Sequence, residues 1–207
     1  MNKTFFNLLA AFVILMNGAT FSLAEETAGQ AADNGTPMTK EEEMQVKMQE
    51  YATPNKNHEI LKALEGKWKA EVKMWMDPAA EPEVSEGTAE STMILGGRFL
   101  EEKYTGTAMG QPFEGRGFIG YDNLRKEYRS VWLDSMGTGV MISSGVYDAT
   151  SKTITEKGTM SCPIVQGDRD YRAVTTIIDN DHYTYESYMN DQDGKELKTM
   201  VITYTRQ

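Results

Sequence analysis

The feature that most constrains the fold is a hydrophobic alternation with a period of two that begins at Gly66. In the first run, Trp68 and the apolar residues at every second position after it alternate with Lys and Glu, which is typical of a half-buried antiparallel strand. We expect about ten such runs up to Arg206, separated by turn-forming pairs such as Asp122-Asn123. These connections are too short for crossover helices, so neighbouring strands should pair antiparallel as a meander.

A flat meander of this size would leave two exposed edge strands, and closure into a barrel removes both edges. The sequence therefore predicts an all-β fold, an antiparallel up-and-down β-barrel of about ten strands over residues 66–207. Many strand positions are Ser, Thr, Gly, Tyr or Glu. A solidly filled lumen needs bulky branched side chains, so this composition favours a lumen that holds water or a small ligand.

The N-terminus has the pattern of a targeting segment, and we predict a signal peptide over residues 1–24. An apolar run from Phe5 to Met16 is followed by small residues at Ser22 and Ala24, where a signal peptidase would cut. The run is shorter than the roughly 20 residues of a membrane-spanning helix, so we expect no membrane span after cleavage. Residues 25–38 are small and polar and predict a flexible linker. The mature protein should be periplasmic or secreted.

Residues 39–65 are predicted to form a helical segment ahead of the barrel. Thr39 and Glu42 have the spacing of a capping box. The apolar positions of the first helix form one narrow stripe, and they are Met44, Met48 and Tyr51. This stripe predicts a helix that packs on its own domain or forms a loosely attached arm, and the alternative is a partner-binding face.

A second helix should follow, with Thr53 as its N-cap, Pro54 in its first turn and Gly66 at its exit. Its apolar residues, which include Leu61 and Leu64, should form the buried face.

Composition excludes several classes of function. The chain has 21 Lys and Arg against 31 Asp and Glu, for a formal net charge of −10. Such a balance argues against nucleic-acid partners, which need a basic face. The single cysteine, Cys162, cannot form an internal disulfide, and with two histidines it cannot build a zinc site of the usual type. We therefore predict no metal and no cofactor.

The start and end of the predicted barrel resemble the calycin pattern of lipocalins and fatty-acid-binding proteins. Gly66-Lys67-Trp68 opens the first strand and Arg206 closes the last. In the calycin pattern a Trp closes one end of the barrel and a late basic side chain packs across it. The resemblance implies that Trp68 and Arg206 meet at a closed end, and pairing of the first and last strands requires the same.

Three further segments look like the signature of bacterial domain-of-unknown-function family 1579 (DUF1579). They are Leu95–Leu100, Gly117–Asn123 and Trp132–Thr138. The similarity runs from about Asn57 to Arg206. The family has no settled activity, so the resemblance implies a fold rather than a function.

A ligand site, if present, is predicted in the lumen near Gly117–Tyr121 and Trp132–Thr138, where aromatic and polar side chains are mixed. The candidate ligand-binding residues are Tyr121, Tyr128, Trp132, Asp134, Ser135 and Met136, with Arg98 and Arg116 as partners for a carboxylate on the ligand. Two alternatives remain open. Trp132 and its neighbours could plug the second barrel end, and an arginine on a strand commonly faces outward.

The sequence shows no catalytic constellation, and we lean against an enzyme. Gly115–Gly120 fits the dinucleotide-binding expression, but it lies inside a predicted strand with no helix after it. Glu101 and Glu102 should face opposite sides of their strand, so they cannot share one site. An enzyme remains an alternative, because one lumen carboxylate such as Glu102, Glu114 or Asp134 could act alone in catalysis.

His182 offers a further alternative, because small barrels of the nitrobindin type, which are related to calycins, hold haem through a lumen histidine. A histidine beside Asp179 and Asp181 at a strand start is more often part of an exposed turn.

The leading hypothesis is an exported binding barrel for a small, partly apolar molecule. The alternatives are an envelope interaction or structural protein with an occluded lumen and, with less support, a haem protein or an enzyme.

Overall fold

Ten antiparallel strands form a closed barrel in the computed structural model, which describes residues 37–191 and 193–207. Each strand pairs with its neighbours in sequence, and the first pairs with the last. The strands are β1 Gly66–Met74, β2 Glu83–Ile94, β3 Phe99–Ala108, β4 Gln111–Asp122, β5 Glu127–Asp134, β6 Met141–Asp148, β7 Thr153–Cys162, β8 Gly167–Ile177, β9 His182–Asn190 and β10 Glu196–Arg206. The predicted barrel of about ten strands is confirmed.

The predicted signal peptide, and the predicted linker up to residue 36, lie outside the described residues. The described part of the chain contains no helix that is long and apolar enough to cross a membrane.

Closure of the barrel brings Trp68 of β1 opposite Arg206 of β10, as predicted. The Arg206 guanidinium carbon lies 4.0 Å from the centroid of the Trp68 ring, a cation–π contact worth about 0.5–2 kcal/mol. Arg206 Nη1 also donates to the Glu65 carbonyl at 2.8 Å, and Trp68 Nε1 donates to the Leu64 carbonyl at 3.0 Å. These bonds tie the strand ends to the helical segment that precedes them.

Gly66 is required at this closed end for a steric reason. Its φ of +133° is a conformation that residues with a side chain rarely adopt. A Cβ at this position would also collide with the Arg206 guanidinium. The spacing Gly66-x-Trp68 therefore leaves room for the arginine that covers the tryptophan.

In the described part of the chain two helices precede the barrel, α1 (Lys40–Ala52) and α2 (Lys56–Leu61), and a 3₁₀ turn (Lys62–Leu64) follows them. The predicted capping box at α1 is confirmed, since Glu42 N donates to Thr39 Oγ1 at 3.2 Å and Thr39 N donates to Glu42 Oε2 at 2.8 Å. No residue of α1 is buried. The helix is an attached arm rather than a packed element.

The arm is held by its C-terminal carbonyl groups. Asn123 Nδ2 lies within 3.1 Å of the carbonyl oxygens of Glu50, Tyr51 and Thr53, and Arg98 Nη2 donates to the Ala52 carbonyl at 2.7 Å. The last carbonyls of a helix have no partner within the helix, so these side chains satisfy them.

Helix α2 and the 3₁₀ turn plug the end of the barrel that carries Trp68. Their residues Leu61 and Leu64 are buried in the same core cluster as Trp68. The N-cap of α2 is Asn55, which accepts from Asn57 N at 2.9 Å, so the prediction of Thr53 was wrong. Pro54 precedes the cap instead of following it, because Thr53 serves as the C-cap of α1.

Candidate functional site

The lumen has three zones that follow from the alternation of the strands. At the plugged end, inward aromatic and aliphatic residues form the core cluster around Trp68. The middle of the barrel, the central zone, contains Glu102, Glu156 and several tyrosines and serines. Toward the open end, inward positions on five strands carry methionine, and we call this set the methionine collar. It consists of Met74, Met141, Met160, Met189 and Met200.

Glu102 is the central carboxylate, and β3 places it between the inward residues Leu100 and Tyr104. Its neighbour Glu101 faces outward, where Oε1 lies 3.2 Å from Arg116 Nη1 and Oε2 lies 3.7 Å from Lys103 Nζ. The prediction that Glu101 and Glu102 face opposite sides is confirmed.

The surroundings of Glu102 consist of hydroxyl groups without a basic side chain. Ser91 is its partner on β2, and Tyr183 and Tyr204 reach it from the opposite wall. Burial raises the pKa of Glu102 to about 7, and the nearby hydroxyls of Tyr204, Tyr183 and Ser91 oppose this rise only in part. The Glu102 carboxyl therefore changes charge near neutral pH. The pKa values of Tyr183 and Tyr204 are raised well above the usual value by burial, so both stay neutral.

Three buried hydroxyl oxygens in this region have no hydrogen-bond partner among the residues that the structure describes. They belong to Ser91, Tyr104 and Tyr183, whose exposed fractions are 2%, 4% and 4%. Ser91 and Tyr183 face Glu102, but neither hydroxyl completes a bond of ordinary length and angle. A buried hydroxyl without a partner costs about 1–3 kcal/mol, so these three hydroxyls leave hydrogen-bonding capacity unused.

Some open space remains beside Glu102 and Tyr185 in the central zone, and we call it the hollow. Both residues lie deep in the barrel, and burial raises both of their pKa values, yet each keeps some surface that water can reach. Small residues occupy several inward positions of the barrel, among them Ala89, Ser130, Ala173 and Ser187. A barrel of ten strands is also wider than one of eight, whose interior side chains just fill.

A second carboxylate, Glu156 of β7, lies across the lumen from β3. Its Oε1 accepts from Ser130 Oγ at 2.5 Å and from Ser143 Oγ at 3.1 Å. Burial raises the pKa of Glu156. Sequence reasoning missed this residue because a glutamate in an alternating strand usually faces water. The inward register of Ile154, two residues earlier, was the signal that could have found it.

The predicted ligand-binding residues divide between the two ends of the lumen. Tyr121 and Tyr128 form an edge-to-face pair at the plugged end, with ring centroids 5.1 Å apart, and Tyr128 Oη donates to the Asn57 carbonyl at 2.8 Å. Trp132 and Asp134 lie toward the open end, where Trp132 Nε1 donates to Asp134 Oδ2 at 2.9 Å. The four residues line the same lumen but do not form one cluster.

Trp132 lies against Gly115 and Gly117 of the neighbouring strand. A Cβ on Gly115 would overlap the Trp132 ring, and one on Gly117 would come within 3.0 Å of it. These two glycines belong to the segment that fits the dinucleotide-binding expression, and their role here is to give the indole space against the wall. Trp132 is half-buried, so water still reaches it.

The other four candidates do not reach the centre of the lumen. Ser135 directly follows β5, and its Oγ accepts from Glu114 N at 3.1 Å. The Met136 side chain is 51% exposed. Neither of the two candidate arginines points into the lumen, as the alternative of an outward-facing arginine had it. Arg116 pairs with Glu101 on the outer face, and Arg98 is exposed and bound to carbonyl groups of the helical arm and the preceding turn.

The histidines offer no haem ligand in the lumen. His182 alternates with the buried Tyr183 and therefore faces outward, and its Nδ1 lies 2.9 Å from Asp179 Oδ1 in an exposed turn. This position agrees with the favoured interpretation of His182 as part of an exposed turn. His58 lies in α2 at the plugged end, where burial lowers its pKa and its Nδ1 accepts from Asn55 N. Across residues 37–191 and 193–207 no group of three or more His, Cys, Asp or Glu side chains is placed to hold a metal ion.

Several solved structures share this architecture at low sequence identity. The crystal structure of Rv2717c from M. tuberculosis is 17% identical, with a TM-score of 0.54 over 75% of this chain and 99% of that one. An S-type phycobiliprotein lyase, CPES from Guillardia theta, is 13% identical, with a TM-score of 0.49 over 76% of this chain and 95% of the other. At these identities the similarity concerns the fold alone. No curated protein sequence matches this chain.

The sequence profile of one family matches residues 53–206, which is most of the chain. The match begins at the N-cap region of α2 and ends at Arg206, so it covers the plug and the whole barrel. The three segments that carry the resemblance now have structural roles. Arg98 and Asn123 hold the helical arm, and Trp132 lines the lumen. The chain belongs to the family described as protein of unknown function DUF1579.

Proposed function

We propose that this protein is an exported barrel that binds a small, partly apolar molecule in its lumen. The main support for this proposal is Glu102, an inward carboxyl that has no ion pair among the described residues and keeps some surface that water can reach. A bound molecule with a group that satisfied this carboxyl would recover part of the free energy lost by burying it.

The apolar part of the ligand would lie between the central zone and the open end. The methionine collar surrounds this part of the lumen, together with the half-buried Phe113 and Trp132. Methionine side chains are flexible and polarisable, so they adapt to apolar groups of irregular shape. Apolar walls with a few oriented polar groups are the usual composition of a small-molecule pocket.

The experiment is native mass spectrometry of the protein purified from its own host. We expect an additional mass that is retained in the folded protein and lost on unfolding. Ser91→Phe should abolish it, because a phenyl group at this buried inward position must push its neighbours into the space beside Glu102. Thr92→Phe is the matched control, since Thr92 is the next residue and is exposed on the outer face.

Retention of the same mass by a folded Ser91→Phe protein would place the ligand outside the central zone and contradict the proposal. A wild-type protein that carries no additional mass, and whose melting temperature does not change in an extract of host small molecules, would also contradict it. That second result favours the alternative of an interaction or structural protein with an unused lumen.

A further inference from the structure

The charges inside the barrel are unbalanced. Among the residues that the structure describes, Glu102, Asp134 and Glu156 occupy inward positions between the two ends of the lumen. Within the ten described strands, no lysine occupies an inward position, and the two inward arginines are at the ends. Arg206 stacks on Trp68 at the plugged end, and Arg169 at the open mouth donates to the Asn190 carbonyl at 2.6 Å.

Two of these carboxylates, Asp134 near the open end and Glu156 across the lumen from β3, already accept hydrogen bonds. Asp134 accepts from the Trp132 indole and from Met136 N, and Glu156 accepts from two serine hydroxyls. Among the described residues, Glu102 has no ion pair, and only the neutral hydroxyls of Tyr204, Tyr183 and Ser91 lie near it as donors. It is therefore the inward acid whose charge is left for a ligand.

We infer, on the basis of the proposed function, that the lumen selects an organic cation whose charged group lies against Glu102 and whose apolar part lies within the methionine collar. An amine or ammonium group would balance the Glu102 carboxylate.

The arrangement also fixes the direction in which the ligand enters. Helix α2 and the buried Leu61, Leu64 and Trp68 close one end, so a ligand must approach from the end that carries the methionine collar. The charged group would then lead and the apolar part would follow. The net charge of −10 of the whole chain favours the approach of cations over anions.

The experiment compares three probes with one tail and different head groups, octyltrimethylammonium, octanol and octanoate. Each is titrated calorimetrically at pH 8, where the Glu102 carboxyl is mainly ionised, into purified protein freed of its own ligand by unfolding and refolding. We expect octyltrimethylammonium to bind at least tenfold more tightly than octanol, and octanoate to bind most weakly.

Glu102→Gln should weaken binding of octyltrimethylammonium at least tenfold and leave octanol unchanged. Glu101→Gln is the matched control, because it removes the same charge from the outer face one residue away, and it should change none of the three affinities. Circular dichroism of both variants checks that they are folded. Glu156→Gln serves as a second lumen variant, and it should weaken the binding of octyltrimethylammonium less than Glu102→Gln does.

Different results would contradict the selection of a cation and the binding of a ligand in the lumen. Equal binding of octyltrimethylammonium and octanol, with no effect of Glu102→Gln, would overturn the cation inference and leave the binding barrel intact. Preferred binding of octanoate would overturn it as well. If none of the three probes binds and the host protein carries no additional mass, both proposals are wrong.

Discussion

Replacing Glu102 with glutamine should stabilise the ligand-free protein at alkaline pH. Burial raises the pKa of this carboxyl to about 7 in the folded protein, against 4.5 for an unperturbed glutamate. The folded state therefore holds a proton that the unfolded state has lost, and the wild-type protein loses stability as the pH rises through this range. At about 1.4 kcal/mol per pH unit, the loss reaches about 3 kcal/mol once the pH is above 7.

Glutamine has nearly the same shape and does not ionise, so the variant avoids this loss. Urea unfolding of both proteins at intervals from pH 4 to pH 8.5 measures the difference. We expect the free energies of unfolding to converge near pH 4 and the variant to be more stable by up to about 3 kcal/mol at pH 8.5. Water that enters the hollow solvates the carboxylate, so the observed value should lie below this upper figure.

Glu101→Gln is again the control, because Glu101 lies on the outer face in ion pairs with Arg116 and Lys103. Its effect should be small and should not grow above pH 6. Glu156, whose pKa is also raised by burial, contributes equally to the wild type and to the Glu102 variant and cancels in the difference. A difference between wild type and Glu102→Gln that is independent of pH, or that favours the wild type at pH 8.5, would refute the buried position of this carboxylate.

Three other perturbations test separate parts of the structure. Arg206→Ala removes the contact with Trp68, worth about 0.5–2 kcal/mol, and should lower the melting temperature by a few degrees without changing ligand binding; an unchanged melting temperature would contradict the contact. Asn123→Ala removes the donor to the α1 carbonyls, so hydrogen exchange over residues 40–52 should accelerate while the barrel strands stay protected; equal acceleration in the strands would contradict an arm-specific role. The intact mass of protein from the envelope fraction should correspond to a chain that begins at Glu25, and retention of Met1 would refute the predicted signal peptide.

The barrel could be predicted from the sequence because its determinants are local. Alternation with a period of two, interrupted by turn residues, defines the strands, and short connections force antiparallel neighbours. The contact between Trp68 and Arg206 followed from the same reasoning, because closure brings the first and last strands together. The cap of α2 was misplaced because Thr53, Pro54 and Asn55 each fit a helix start, and only the end of α1 decides among them.

The site was less predictable because it depends on which face of a strand a polar residue occupies. Arg98 and Arg116 lie close in sequence to lumen residues but face outward, as arginines on strands commonly do. The sequence predicts Glu102 as a lumen carboxylate but not Glu156, since carboxylates rarely face the interior. A buried carboxylate destabilises the protein above its pKa, so its position near the middle of the lumen is most readily explained by a ligand.

The most direct measurement is a crystal structure of the protein purified from its own host without a refolding step. We expect electron density for a non-protein molecule in the central zone, in contact with the Glu102 carboxylate and with its apolar part against the methionine collar. A lumen in which only ordered water reaches Glu102, or in which side chains collapse to fill the hollow, would contradict it.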